Sequence, residues 1–422
     1  MSELGEAHST YRELINRRIG VVVLLGFSSG LPLALTSGTL QAWMTVENVD
    51  LATIGVFSLV GWPYAFKYLW APVLDRFFPP FLGRRRGWIA VFQLALVAGI
   101  VAMSFSSPGK APYLVATLAV LIATFSASQD IVIDAYRTDV LKERERGAGA
   151  AVFVTGYRVA MLTSGALALI MADQLGWRTT YLILAGLMFV GVLVTIFGPE
   201  PEEKYIPPRT LEEAVVGPLK EFFSRHGAWA LLALIVLYKF GDAFAGSLST
   251  TFLIRGVGFS LAEVGVINKG MGLGATILGA LCGGYLFVRL GLYRSLLYFG
   301  ILQAVSNLSF MVLAAAGKSY PLMIFAVGFE NLSGGMGTAS FVAFLMALFN
   351  HRFTATQYAL LSALASLGRV FVGPASGYLV EGLGWVTFFF VTFLAALPGL
   401  ALLLWMKKTI RGLERSPDEV RG

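Results

Sequence analysis

The chain has 422 residues, 56% of them hydrophobic and 14% charged, with a mean hydropathy of +0.73 and a formal net charge of +7. Soluble domains carry about 25% charged residues and far less apolar content, so a water-soluble globule is excluded. One cysteine, Cys282, excludes a disulfide framework, and the three histidines (His8, His226, His351) all read as loop residues, which leaves no His-based metal site and no His-dependent triad.

Residues 1–18 are polar and read as a cytoplasmic N-terminal segment. The apolar run behind them is too long for a signal peptide and lacks a cleavage pattern, so it is expected to stay as a helix. A spanning helix needs about 20 apolar residues. Runs of that kind cover residues 19–44, 52–74, 88–105, 112–140, 148–171 and 179–197, and then 228–253, 261–288, 296–316, 321–349, 354–380 and 386–405. Between the two sets, residues 199–227 are rich in Pro, Glu and Lys and read as a cytoplasmic linker. The expected fold is an all-α membrane protein of twelve transmembrane helices in two six-helix bundles, residues 19–198 and 228–406, followed by a cytoplasmic tail, 407–422.

Lys and Arg set the orientation. With the N-terminus inside, the segments on that side hold 23 of the 32 basic residues and the opposite side holds four: Lys110, Arg178, Arg255 and Lys318. Both termini are therefore expected in the cytoplasm. The same bias explains the positive charge without nucleic acid as a partner. At an offset of 211 residues, Gly30 matches Gly241, Thr36 matches Ser247, Thr39 matches Thr250 and Arg158 matches Arg369, so the two halves read as a repeat.

An ionisable group at mid-bilayer costs at least about 2.5–3.5 kcal/mol and survives where water or a partner receives it. The stretch FSASQDIVIDAYRTD (125–139) carries three carboxylates and one guanidinium. Asp130 and Asp134, four apart, share a helix face, and Asp134 lies within pairing reach of Arg137. Two carboxylates on one face favour sharing a proton, which makes Asp130 and Asp134 the expected proton-coupling residues. On the seventh run Lys239 and Asp242, three apart, are expected to pair. Glu330 is expected near mid-depth of the tenth run. Lys67, Arg158, Lys269 and Arg369 have no acid on their own helices, so they must find one elsewhere or meet a solute. The balance of these groups favours an anionic solute. Trp43 and Tyr238 are candidates to stack on sugar rings. Gly26, Gly30, Pro32 and Gly38 are expected to interrupt the first helix, and Gly373-Pro374 the eleventh. Gly270-x-x-x-Gly274 and Gly373-x-x-x-Gly377 are expected to bring helices together.

In GFSSGLPLALTSGTLQAWM (26–44), GRRRGW (83–88), SASQDIVIDAYRTDVL (126–141), RGAGAAVFVTGYR (146–158) and TATQYALLSALASLGRVFVGP (354–374), the chain closely resembles the AmpG-type muropeptide permeases. These are bacterial inner-membrane members of the major facilitator superfamily. The resemblance implies import of N-acetylglucosamine–anhydro-N-acetylmuramyl peptides from the periplasm by the proton motive force, for peptidoglycan recycling. In many bacteria with an inducible β-lactamase, such fragments also act as the inducing signal. It further implies that Gln41, Gln129, Lys67, Lys239 and Lys269 are sensible contacts for a ligand of sugars, amides and carboxylates. The superfamily's loop motif carries over onto Asp75, Arg76, Arg84 and Arg85 as a conformational latch, although Ala71 replaces its leading Gly and FFPPFL (77–82) splits it. The fifth helix lacks the proline that antiporters of the superfamily tend to carry, which favours symport. The expected partners are an anionic glycopeptide and the lipid bilayer, the expected state a monomer, and the expected coupling ion a proton, with no cofactor. An exporter of drugs or metabolites on the same fold is the alternative. Against a membrane enzyme, the sequence offers no buried His, no Ser-His-Asp set and no metal-ligand cluster, and a sensor without flux gives no reason for charges at such depth.

Overall fold

In a computed structural model, the structure describes residues 16–77, 79–142, 145–200, 223–224, 227–348, 361, 364, 367–368 and 370–413. Every regular element among them is helical. Eight helices among the described residues are long and apolar enough to cross a membrane, from Arg17–Val46 to Gly373–Trp405. Local chemistry sets their starts: Pro112, Pro321 and Pro374 stand in first turns, where a missing N–H costs nothing. Asn16 Oδ1 accepts from the Ile19 amide, and Ser260 with Glu263 forms a capping box.

Two pairs of predicted spans run on as single long helices, Gly272–Ala316 and Gly373–Trp405, each broken at one glycine. Gly291 (φ 75°, ψ 175°) and Gly384 (φ 74°, ψ 169°) share their backbone conformation with Gly83 (φ 73°, ψ 177°) and Gly176 (φ 79°, ψ 163°). This region is essentially closed to residues with a Cβ. The four glycines join the second predicted span to the third, the fifth to the sixth, the eighth to the ninth and the eleventh to the twelfth. One device recurring every third span is the mark of an internal repeat. Gly384→Ala isolates the backbone effect, because the added Cβ would meet nothing within 4 Å. It is expected to destabilise by about 1–3 kcal/mol, read as a lowered melting temperature of the purified protein.

The chain forms two compact units. The first comprises residues 1–43 and 66–207; the second comprises residues 44–65 and 208–422. Residues 44–65, from the first half of the sequence, thus belong with the second unit.

In the first unit, helix Arg17–Leu35 lies against helix Arg146–Leu162 through glycines. A Cβ on Gly26, Gly30 or Gly156 would strike the carbonyl oxygen of Phe153, Tyr157 or Val23 respectively. Helix Trp177–Phe197 ends with carbonyls that no further turn can pair. Arginines from two other helices receive them: Arg86 Nε donates to Thr195 O at 3.0 Å, Arg86 Nη2 to Ile196 O, and Arg17 Nη2 to Phe197 O. A cluster of Leu25, Ile89, Val132, Ile133 and Tyr136 fills the space between these helices.

The first helix runs unbroken through Gly26, Gly30 and Pro32 and is interrupted only at Thr36 and Ser37, before it resumes at the fourth expected position as Gly38–Val46. The matching point of the second unit, Leu248, separates Phe240–Ser247 from Ser249–Thr251. The repeat read from sequence therefore extends to this break.

In the second unit, Gly373 and Gly377 bring helix Gly373–Trp405 onto helix Leu51–Val56 as expected: a Cβ on Gly377 would lie 2.6 Å from Ala52 Cα. Gly270 and Gly274 do not act in that way. A Cβ on Gly274 would meet nothing, and the close approach falls instead at Gly279 and Gly283, against Leu332 and Met336. Residues Gly265–Met271 form a π-helical turn, which rotates the face that Gly270 and Gly274 would have presented. Val370 and Phe371 are helical and Val372 is a bend, so the eleventh span is interrupted directly before Gly373 and Pro374, as expected.

Candidate functional site

Pro32 is the starting point for the charged groups of the first unit. It has no N–H, so the Ser28 carbonyl, four residues earlier, loses its helical partner. Gln129 supplies one: its Nε2 donates to Ser28 O at 3.1 Å, and Gln129 is fully buried. That contact fixes helix Pro112–Val140 against the first helix one residue short of Asp130. The Ser29 hydroxyl then donates to Asp130 Oδ1. Lys67, from a 3-10 turn, and Asp134 both act on Asp130 by charge. Asp130 is half-buried, as are Lys67 and Asp134.

The other charges of residues 125–139 find separate partners. Asp134 Oδ1 pairs with Arg137 Nη2 at 3.1 Å, as the spacing predicted, and Arg137 also lies over the Phe153 ring at 4.4 Å. Asp139 Oδ2 accepts from Arg85 Nε at 3.1 Å. Arg85 is 5% exposed and Asp139 half-buried, so one of the four expected latch residues holds a partly buried ion pair with the end of helix Pro112–Val140. Arg76 is exposed beside Phe77. The side chains of Asp75 and Arg84 lie outside the described residues.

A second cluster lies in the second unit. Lys239 Nζ stands 3.6 Å from Asp242 Oδ2, the predicted pair, and donates to Thr338 Oγ1 at 3.2 Å. Lys269 Nζ donates to Thr250 Oγ1 at 2.9 Å. Glu330 Oε2 accepts from Asn331 Nδ2 at 2.7 Å, and Asn331 Oδ1 in turn accepts from Thr276 at 3.0 Å. Glu330 feels the charges of Asp242, Lys269 and Lys239, so these two acids and two bases form one electrostatic group. Ser29, Asn331, Thr250, Thr276 and Thr338 were not picked out from sequence. Ser29 carries no signal there and Thr250 stood out only as the repeat match of Thr39, whereas Asn331 is the direct neighbour of the predicted Glu330.

The remaining candidates are dispersed. Trp43 is buried, stacked on Trp177 at 5.5 Å and tilted against Tyr181 at 5.1 Å. Tyr238 is buried, stacked on Phe341, with its hydroxyl donating to Leu296 O at 2.9 Å. Gln41 is half-buried, and Arg158 is exposed with Nη1 beside the Met161 sulfur at 3.8 Å. Arg369 lies outside the described residues. Among the described residues no group of three or more His, Cys, Asp or Glu could hold a metal ion.

Residues 22–329 match the family model described as Major Facilitator Superfamily. The chain belongs to that superfamily. It is 58% identical over 394 residues to the anhydromuropeptide permease of Escherichia coli strain K12, covering 93% of this chain and 80% of the relative. It is 32% identical over 403 residues to putative transporter AmpG 4 of Rickettsia felis, covering 93% and 97%. Among solved structures, a bacterial homologue of the human lysosomal transporter Spinster superposes with a TM-score of 0.76 at 15% identity, covering 96% of this chain and 99% of that one. At that identity the likeness establishes the superfamily fold alone. The chain is thus a multi-pass inner-membrane transporter and not an enzyme, with a small-molecule substrate.

Proposed function

We propose that this protein imports anhydromuropeptides into the cytoplasm by proton symport, for peptidoglycan recycling, through twelve spans with both termini inside. The observation that carries the reading is the 58% identity, sustained over 93% of the chain, to a permease of that substrate. The charged groups give it a workable chemistry. Asp130 takes a proton at its carboxylate and later gives it up on the cytoplasmic side. Ionised, it accepts from the Ser29 hydroxyl; protonated, it donates to the same oxygen and frees the charge of Lys67. Asp134 is the second carboxylate of that proton site.

In the second unit, a carboxylate of the arriving glycopeptide competes with Asp242 and Glu330 for the two ammonium groups of Lys239 and Lys269. Gln41, Gln129, Arg158, Arg369, Trp43 and Tyr238 complete the proposed contacts, and Asp75, Arg76, Arg84 and Arg85 the proposed latch. The protein works as a monomer with the proton as coupling ion.

Two measurements test this. In proteoliposomes preloaded with unlabelled anhydromuropeptide, radiolabelled anhydromuropeptide should exchange inward and be displaced by other disaccharide-peptides. Outward movement of toxic cations with no response to muropeptides would contradict the reading in favour of export. Lys239→Gln removes one charge-assisted contact of about 1.5–3 kcal/mol, so the dissociation constant should rise tenfold to a hundredfold with expression retained. Full affinity with lost expression would reassign Lys239 to folding.

A further inference from the structure

The start of helix Arg17–Leu35 and the end of helix Trp177–Phe197 leave a groove of about 430 Å3 between them. Its walls are apolar and uncovered: Leu24, Leu193 and Phe197 are exposed. Gly20 lies along it, and a Cβ there would meet nothing within 4 Å. Arg17, Gly20 and Leu24 follow one another along a single helix face.

Depth gives the groove a direction. Arg17 opens one membrane span and Phe197 closes another, so the arginine end lies at the boundary between hydrocarbon and headgroups. Leu24 is seven residues further on, about 10 Å deeper at 1.5 Å per residue. A cationic mouth therefore leads into a greasy trough that runs inward along the hydrocarbon layer. A peptide laid there would bring backbone groups that the trough cannot pair. An acyl chain brings none.

The mouth also selects for charge. Arg18 faces Glu145 at 3.8 Å and Arg86 faces Glu200 at 3.0 Å, whereas no carboxylate among the described residues pairs with Arg17. Its Nη2 donates to Phe197 O, which anchors one arm of the guanidinium and leaves its other N–H groups as donors for an anion. A phosphate that carries a net negative charge suits those donors better than one balanced by its own ammonium.

We propose that this groove binds one anionic phospholipid, with an acyl chain along Gly20 and Leu24 and the phosphate on Arg17. The proposal rests on the membrane-spanning reading and is independent of which solute is carried. Native mass spectrometry of the purified chain, equilibrated with equal phosphatidylglycerol and phosphatidylethanolamine, tests it. The wild type should retain one phosphatidylglycerol in preference. Arg17→Gln should lower that preference about fivefold, the equivalent of about 1 kcal/mol per basic group at the membrane surface, and Arg17→Lys should keep it. Gly20→Leu fills an open space without a clash, so its melting temperature should hold while the retained lipid is lost. Equal retention of the two lipids by the wild type overturns the proposal. So does undiminished phosphatidylglycerol on a folded Gly20→Leu variant.

Discussion

Asp130→Asn should reduce proton-driven accumulation of anhydromuropeptide to the level of empty liposomes while exchange between preloaded vesicles persists. Asparagine keeps the size of the side chain and can still accept from the Ser29 hydroxyl, so the hydrogen bond that aligns the first helix with helix Pro112–Val140 survives. What it lacks is a site for the proton. Without a group that gains and loses charge, movement of solute is no longer tied to movement of protons, and only downhill exchange remains. The substitution also removes the negative charge that Lys67 faces. Leaving a partly buried charge without its counterpart costs about 1–3 kcal/mol, so a modest fall in melting temperature should accompany the loss of coupling. Unchanged accumulation would remove Asp130 from the coupling role.

Gly156→Val should unseat the first helix and abolish uptake with it. The carbonyl of Val23 occupies the place where a Cβ would stand, and the amide of Phe27 lies 3.1 Å from it. Backbone cannot rotate out of the way as a side chain can, so helices Arg17–Leu35 and Arg146–Leu162 must move apart. Overpacking of this kind typically costs about 1–3 kcal/mol and sometimes more. The displacement passes directly to function, because Ser29 and the Ser28 carbonyl ride on the same helix and meet Asp130 and Gln129. Gly186→Val is the control, since a Cβ there would meet nothing within 4 Å and should change stability by less than about 0.5 kcal/mol. Equal melting temperatures for the two variants would contradict the glycine account of this interface.

Which parts of this were visible in the sequence follows from how far apart the partners lie. Apolar runs announce helices because hydrocarbon demands internally paired backbone, and eight helices among the described residues are long and apolar enough to cross a membrane. Pairs three residues apart, Asp134 with Arg137 and Lys239 with Asp242, were legible because helix geometry alone brings them together. Asp139 with Arg85 and Ser29 with Asp130 join separate helices, and no spacing rule reaches across 54 or 101 residues. Pro32 does announce an orphaned carbonyl at Ser28, but only packing names Gln129 as the donor. Trp43 and Tyr238 were legible as aromatic rings in a span, whereas the rings they stack on, Trp177 and Phe341, lie on other helices and were not. The small-residue spacing at Gly270 and Gly274 misled because a π-helical turn breaks the period on which the inference rested. At Gly373 and Gly377 the period is regular, and the expected close approach is present.

Uptake of radiolabelled anhydromuropeptide into proteoliposomes, measured with an imposed pH difference and again after an ionophore has collapsed it, tests proton-coupled import most directly. Accumulation above the external concentration when the outside is acidic, lost on collapse, is the expected result. Uptake that ignores the pH difference, or that runs outward along it, would contradict the account.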